Sequence, residues 1–298
     1  MKSKTVVSKS IAVQLSLVAF TTLMTLGSSF FVKPVQAATI TLGNGALTNG
    51  DPNNPIAVDL ELSLLVDVSG SINANEFNLQ KQGYVNAFKD ITLWSAISGG
   101  PIGKIAVNLI YWSSTTLQTQ AVGWTLIDSL AAAQSFANAI NATSRPFGGG
   151  TAPGAAITYA TPLFGTETGS VQNGFNSTRQ VIDVSGDGTG ETSTSVARNA
   201  ALAKGIDAIN GLPILANDQS LLNWYSNNIK GGNGAFVIAA STFDTFEQAV
   251  KQKLVREITP TPPTSVPEPS SLLGLAFLGG TAFSLRRQLT GKKVEAEA

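Results

Sequence analysis

Histidine and cysteine are both absent from this 298-residue chain, and the two absences narrow its chemistry sharply. Without histidine there is no Ser-His-Asp triad, no imidazole general base and no histidine-ligated zinc centre. Without cysteine there are no disulfides, thiolate metal ligands or cysteine nucleophile, although many exported proteins also lack it, so this zero does not fix the compartment. Any metal must be held by oxygen. Charge is sparse too: 13% of residues are charged, with 19 Lys and Arg against 19 Asp and Glu. A balanced chain generates no net field that would gather it onto nucleic acid, and none is expected as a partner. The length accommodates one large domain or two small ones.

What is present centres on Leu60-Glu61-Leu62-Ser63-Leu64-Leu65-Val66-Asp67-Val68-Ser69-Gly70-Ser71. Its branched apolar run has the character of a strand buried on both faces. It ends in Asp67, Ser69 and Ser71, three oxygen-bearing side chains spaced two apart, which a loop can turn toward one point. A carboxylate with two hydroxyls is a hard ligand set suited to Mg²⁺, Mn²⁺ or Ca²⁺ rather than zinc or copper. The alternative is local: the serines cap the next helix while Asp67 bonds loop amides.

Apolar runs flank the rest. Lys2, Lys4 and Lys9 precede Ile11–Val32, and Val35-Gln36-Ala37-Ala38 supplies small residues at cleavage spacing. This predicts a signal peptide over 1–37, an uncleaved anchor being the alternative. A Thr/Gly/Asn/Pro leader with little core-forming power follows over 38–54. At the other end, 259–267 is a Pro/Thr linker. Val266-Pro267-Glu268-Pro269-Ser270, the apolar run Leu272–Leu285 and Arg286-Arg287 come after it. That run is shorter than the roughly 20 residues of an ordinary spanning helix. The arginine pair would keep its far end cytoplasmic.

The segment 266–287 resembles the PEP-CTERM sorting signal. The resemblance implies export, recognition by the membrane protease-transpeptidase exosortase, and a short transmembrane helix that holds the chain to the membrane before processing. The tail 288–298 departs from the pattern, which usually ends sooner. A plain C-terminal anchor is the alternative.

Between the ends, one domain is expected over 55–258. Helices are predicted over 76–88 with Asn73 or Asn75 as cap, from Asp128-Ser129 to about Ile140, from Pro153 to Leu163, and over 192–204, 219–229 and 243–258. Strands beyond the first are predicted over 105–112, 120–127, 180–185, 206–215 and 235–239, the first two of these forming a hairpin. Such alternation implies an α/β fold: a doubly wound, mainly parallel six-stranded sheet with one antiparallel edge strand and helices on both faces. Ligands in such sheets gather at carboxyl ends of strands where the strand order reverses. Three loops could meet there: the Asp67 loop, Gly148-Gly149-Gly150-Thr151-Ala152-Pro153, and Ser185-Gly186-Asp187-Gly188.

These loops resemble the metal-ion-dependent adhesion site of the von Willebrand factor type A fold. Asp67, Ser69 and Ser71 match its Asp-x-Ser-x-Ser, Thr151 its loop threonine, and Asp187 the aspartate of its Thr-Asp-Gly, with Gly186 in place of the threonine. The resemblance, to a secreted bacterial branch of undefined function, implies that Ser69, Ser71 and Thr151 bind the metal directly. Asp67 and Asp187 would do so directly or through water. It further implies a cation-dependent adhesion-type module at the cell surface or in the matrix, engaging an acidic side chain of a protein or matrix ligand, and not an enzyme. A structural component of the exopolysaccharide matrix and a metal-assisted hydrolase are the alternatives. Asp183 is expected to support the site or the fold rather than ligate; Trp112, Trp124 and Trp224 are read as core, and Gly231-Gly232-Asn233-Gly234 as a turn.

Overall fold

The computed structural model describes residues 47–165, 173–216 and 218–259. The expected signal peptide, the first half of the leader, the linker beyond Thr259, the short C-terminal helix and the tail lie outside the described residues. Among the described residues no helix is long and apolar enough to cross a membrane.

Among the described residues eight strands form: β1 (Ile56–Val58), β2 (Leu60–Asp67), β3 (Ile105–Trp112), β4 (Gln118–Ile127), β5 (Phe175–Ser177), β6 (Gln180–Gly186), β7 (Ala208–Pro213) and β8 (Gly231–Gly232). Six of them build the main sheet in the order β4-β3-β2-β6-β7-β8, while β1 and β5 pair separately. The strands β3, β2, β6 and β7 run parallel, and β4 returns antiparallel to β3 as the predicted hairpin. The α/β architecture is therefore the one the alternation implies. All eight residues of β2 are buried, as a strand covered on both faces requires.

Seven α-helices among the described residues cover the sheet: α1 (Ala74–Lys89), α2 (Ile91–Ser98), α3 (Leu130–Ala142), α4 (Pro153–Ala160), α5 (Thr194–Ala203), α6 (Ser220–Asn228) and α7 (Phe246–Ile258). Leu60, Leu62, Leu64 and Val66 of β2 face α1, α2, α3 and α7 in one core. Leu65, on the opposite pleat, packs with α4, α5 and α6 in the other. Asn73 caps α1 with a full capping box: its side chain accepts from Asn75 and Glu76 N–H, and Glu76 accepts from Asn73 N–H. This cap fixes where the Asp67 loop ends.

Some elements differ from expectation. The predicted last strand over 235–239 is reduced to isolated parallel bridges at Val237 and Ala240. Pro213 has no N–H to offer there, and the Phe236 N–H is taken by the Asn210 side chain at 3.0 Å. The strand at that edge is instead β8, two residues of the stretch read as a turn, antiparallel to β7. The helix α2, capped by Asp90 at 2.8 Å from Thr92 N–H, has no counterpart in the sequence reading. The leader also contributes more than expected: Leu47 packs against the core, and the Thr48 carbonyl accepts from Leu126 N–H of β4 at 2.9 Å.

Beneath α7 lies a buried charged trio. Lys253 sits 2.6 Å from Asp183 and 2.5 Å from Glu257, and all three side chains are fully buried. Asn210 donates to Glu257 at 2.9 Å. Asp183 thus has the structural role expected of it, facing α7 and its lysine. One ammonium cannot balance two buried carboxylates, so burial raises both acids, Glu257 to about 7, against the downward pull of Lys253.

A raised carboxyl pKa binds a proton in the folded chain that the unfolded chain releases above about pH 4.3. Stability therefore falls as pH rises from there through the folded value. We expect urea unfolding in chelator, scanned from about pH 5 to about pH 8, to show this decline, and Glu257→Gln to make it shallower. An unchanged slope in the variant would mean that the trio carries no such proton.

Candidate metal centre

The strand order reverses beside β2, because the chain passes from β2 to β3 on one side and reaches β6 on the other. A crevice opens at such a reversal at the carboxyl ends of the strands. Asp67 is the last residue of β2, and Asp187 follows the last residue of β6, so two carboxylates flank that crevice.

Each expected residue can be placed. Asp67 is fully buried; its Oδ1 accepts from Ser69 N–H at 2.7 Å, and its Oδ2 accepts no hydrogen bond among the described residues. The Ser69 and Ser71 hydroxyls lie 3.2 Å apart. Ser71 Oγ donates to Asp187 Oδ1 at 2.7 Å, closing a link between residues 116 positions apart. Thr151 lies against Gly188, its hydroxyl oxygen 3.6 Å from where a β-carbon on Gly188 would sit. The first and third loops are thus joined by a hydrogen bond, and Thr151 borders the third. Among the described residues no three His, Cys, Asp or Glu side chains group closely enough to hold a metal, so hydroxyls dominate the donor set.

The local fold explains the presentation. Gly70 N–H donates to the Gly149 carbonyl at 2.7 Å, drawing the first loop onto the glycine loop. Gly149 has φ +132°, and a β-carbon there would overlap the Ser114 hydroxyl. Gly186 is equally constrained: a β-carbon would stand 2.6 Å from Asp67 Oδ2 and 2.9 Å from the Tyr225 hydroxyl. No threonine fits at 186 unless these groups move.

Several supporting residues escaped the sequence reading. The Arg145 guanidinium donates from Nε to the carbonyls of Val68 and Phe147, at 3.2 Å each. Its Nη2 donates to the carbonyls of Val68 at 2.8 Å and Ser69 at 2.5 Å. Ser113 donates to the Gly148 carbonyl, and Ser114 accepts from Gly150 N–H, at 3.0 and 2.8 Å. Glu191, just beyond the Asp187 loop, accepts from Ala155 N–H in the first turn of α4 at 3.1 Å, a favourable end for a carboxylate. Position alone hinted at Ser113 and Ser114, directly after β3; nothing in the sequence hinted at Arg145.

Burial pushes the Asp67 carboxyl up to about 7, although hydrogen bonds from Ser69 pull it down and Asp187 adds repulsion. Burial also raises Asp187, against the Ser71 hydrogen bond, and Glu76 adds to the rise. Tyr225 is held well above the ordinary phenol value by burial and then by Asp67, so its hydroxyl keeps its proton. The Arg145 cation is spent on carbonyls. A buried carboxylate oxygen with no donor, repelled by a second carboxylate, is the environment that a hard cation relieves. The residues present fit such an ion.

The sheet order and the meeting of the Asp67 and Asp187 loops give a doubly wound α/β domain that resembles the von Willebrand factor type A fold. The chain belongs to the family described as Protein of unknown function (DUF1194), which matches residues 57–262. A PEP-CTERM protein-sorting motif matches residues 265–288 and indicates export to the cell envelope. No curated protein matches the chain.

Among solved structures, proximal thread matrix protein 1 from the mussel byssus is 18% identical, with a TM-score of 0.46, over 67% of this chain and 45% of that one. A second structure of that protein, described as having a zinc-occupied MIDAS motif, is 20% identical, with a TM-score of 0.45, over 67% and 47%. The pilus adhesin SpaC from Lactobacillus rhamnosus GG is 14% identical, with a TM-score of 0.48, over 71% and 32%. The chain spans less than half the length of each of these proteins.

The Arg145 fork joins the metal loop to the glycine loop through charge-assisted hydrogen bonds. Arg145→Met is expected to lower stability in urea by on the order of 2 kcal/mol. Arg145→Lys is expected to recover only part, because an ammonium cannot span three carbonyls as the planar fork does.

Proposed function

We propose that this domain is an exported, divalent-cation-dependent binding module that engages an acidic group on a protein or matrix partner. The observation that carries the reading is the meeting of Ser69, Ser71 and Asp187 in the loops that hold Asp67, one of whose oxygens has no donor among the described residues. Ser69, Ser71 and Thr151 would hold the ion directly, with Asp67 and Asp187 as the anionic members. Mg²⁺ is the preferred ion, with Mn²⁺ and Ca²⁺ compatible with the same oxygen donors. Held mainly by neutral hydroxyls, the bound ion would keep enough positive charge to attract a partner's carboxylate.

The chain's own residues set the rest. Ser71 faces solvent while Asp67 and Ser69 are fully buried, so the open side of the site lies at Ser71 and Asp187. Arg145, Ser113 and Ser114 keep the loops in place without offering a charge to the partner. The reading includes no catalysis: histidine is absent, and two carboxylates with three hydroxyls bind an ion without a separate general base. The envelope-sorting motif supports exosortase as the processing enzyme and a surface or matrix destination.

Calorimetry with Mg²⁺ and Mn²⁺ tests the site. We expect saturable binding that Asp67→Ala or Ser69→Ala weakens by about 100-fold, and unaltered binding in both variants would remove the assignment. For the partner, a poly-glutamate surface should capture the protein in Mg²⁺ and release it in chelator. Phosphoester turnover that disappears in Asp67→Ala would overturn the non-catalytic reading.

A further inference from the structure

Tyr225 projects from α6 beneath the metal loops, and two glycines make room for it. A β-carbon on Gly211 of β7 would sit 2.8 Å from the Tyr225 ring, and one on Gly186 of β6 would sit 2.9 Å from its hydroxyl. Both strands are thus stripped of side chain where the phenol passes. The hydroxyl is fully buried and has no hydrogen-bond partner among the described residues. The same is true of Asp67 Oδ2, which lies 2.6 Å from that same Gly186 β-carbon point.

Buried polar atoms without partners are rare. Here a hydroxyl donor and a carboxylate acceptor both border the single small space left open by Gly186. A tyrosine serving only as core would cost less as phenylalanine, since its hydroxyl is desolvated and gains nothing in return.

We propose that Tyr225 is the positioning residue of the metal centre: with the ion bound, its hydroxyl becomes the partner of Asp67 Oδ2 and fixes the carboxylate in the orientation that serves the ion. The inference rests on the binding-module reading, because it assigns Tyr225 a role only if Asp67 serves a cation. Outer partners that orient metal-binding groups typically govern affinity by 10- to 100-fold. The trough formed by Gly186 and Gly211 then has a purpose: it admits a phenol from a helix to a carboxylate at the end of β2.

The test uses the whole exported domain and Mg²⁺ alone as the probe. Tyr225→Phe removes one oxygen and should leave urea stability in chelator unchanged or slightly higher. It should weaken Mg²⁺ binding by about 10-fold. Adding Mg²⁺ to the parent protein should perturb one buried tyrosine in the ultraviolet difference spectrum; Tyr225→Phe should abolish that signal and Tyr159→Phe should retain it. Parent-like affinity in Tyr225→Phe, or a spectrum that survives the substitution, overturns the inference while leaving the site intact, provided that Asp67→Ala loses binding. Parent-like affinity in Asp67→Ala instead overturns the metal site itself, and the role of Tyr225 with it.

Discussion

A carboxylate buried at the end of a central strand must keep a proton, find a donor for each oxygen, or meet a cation. Asp67 is in that position: one oxygen is satisfied by the backbone two residues on, and the other by no donor among the described residues. Much of the surrounding structure can be read as a consequence. The strand order brings Asp187 to the neighbouring strand end, where its carboxylate adds repulsion that its backbone N–H offsets only in part. The nearby arginine is directed to carbonyls instead of carboxylates. The fold thus maintains an electrostatic demand at one point on its surface.

Rigidity around that point comes from loop-to-loop hydrogen bonds rather than from regular structure. Four chain segments meet there: the Asp67 loop, the Ser113-Ser114 turn, the glycine loop and the Asp187 loop. Their ties run from side chain to backbone at Ser113, Ser114 and Arg145, between backbones at Gly70 to Gly149 and Ala152 to Ser113, and between side chains at Ser71 to Asp187. A centre built this way is preorganised, since the donors are fixed by bonds they make elsewhere. The capping box at Asn73 and the Glu191 carboxylate at α4 extend the same device to the helices that follow.

The sequence made the ligand candidates legible because their signal is local. Asp67, Ser69 and Ser71 announce themselves by a spacing of two after an apolar run, Thr151 by standing just before Pro153, and Asp187 by following a buried strand. Arg145, Tyr225 and Gly211 were not legible. Their roles depend on what lies across the fold, and backbone carbonyls, which Arg145 engages, look alike in every sequence. The fold class was readable from the alternation of patterns, whereas the edges were not. Ile91–Ser98 is too short to establish a helical period, which is why α2 has no counterpart in the sequence reading. The β1 and β5 pair has three residues per strand, below what periodicity can report. The failed strand at 235–239 was apolar enough; Pro213 and the Asn210 side chain on the neighbouring strand decided otherwise.

The Thr48 carbonyl that meets Leu126 bears on how copies of this protein behave in company. A sheet's outermost strand offers unpaired amides and carbonyls on which another chain can grow. At β4 the chain's own preceding segment takes up part of that offer, and a shifted register against β3 disturbs the ladder further. At the opposite margin β8 has only two residues, and the stretch beyond it touches β7 at isolated points. Neither margin is a good template for fibre growth. Copies brought close together would therefore gain little from pairing sheet edge to sheet edge.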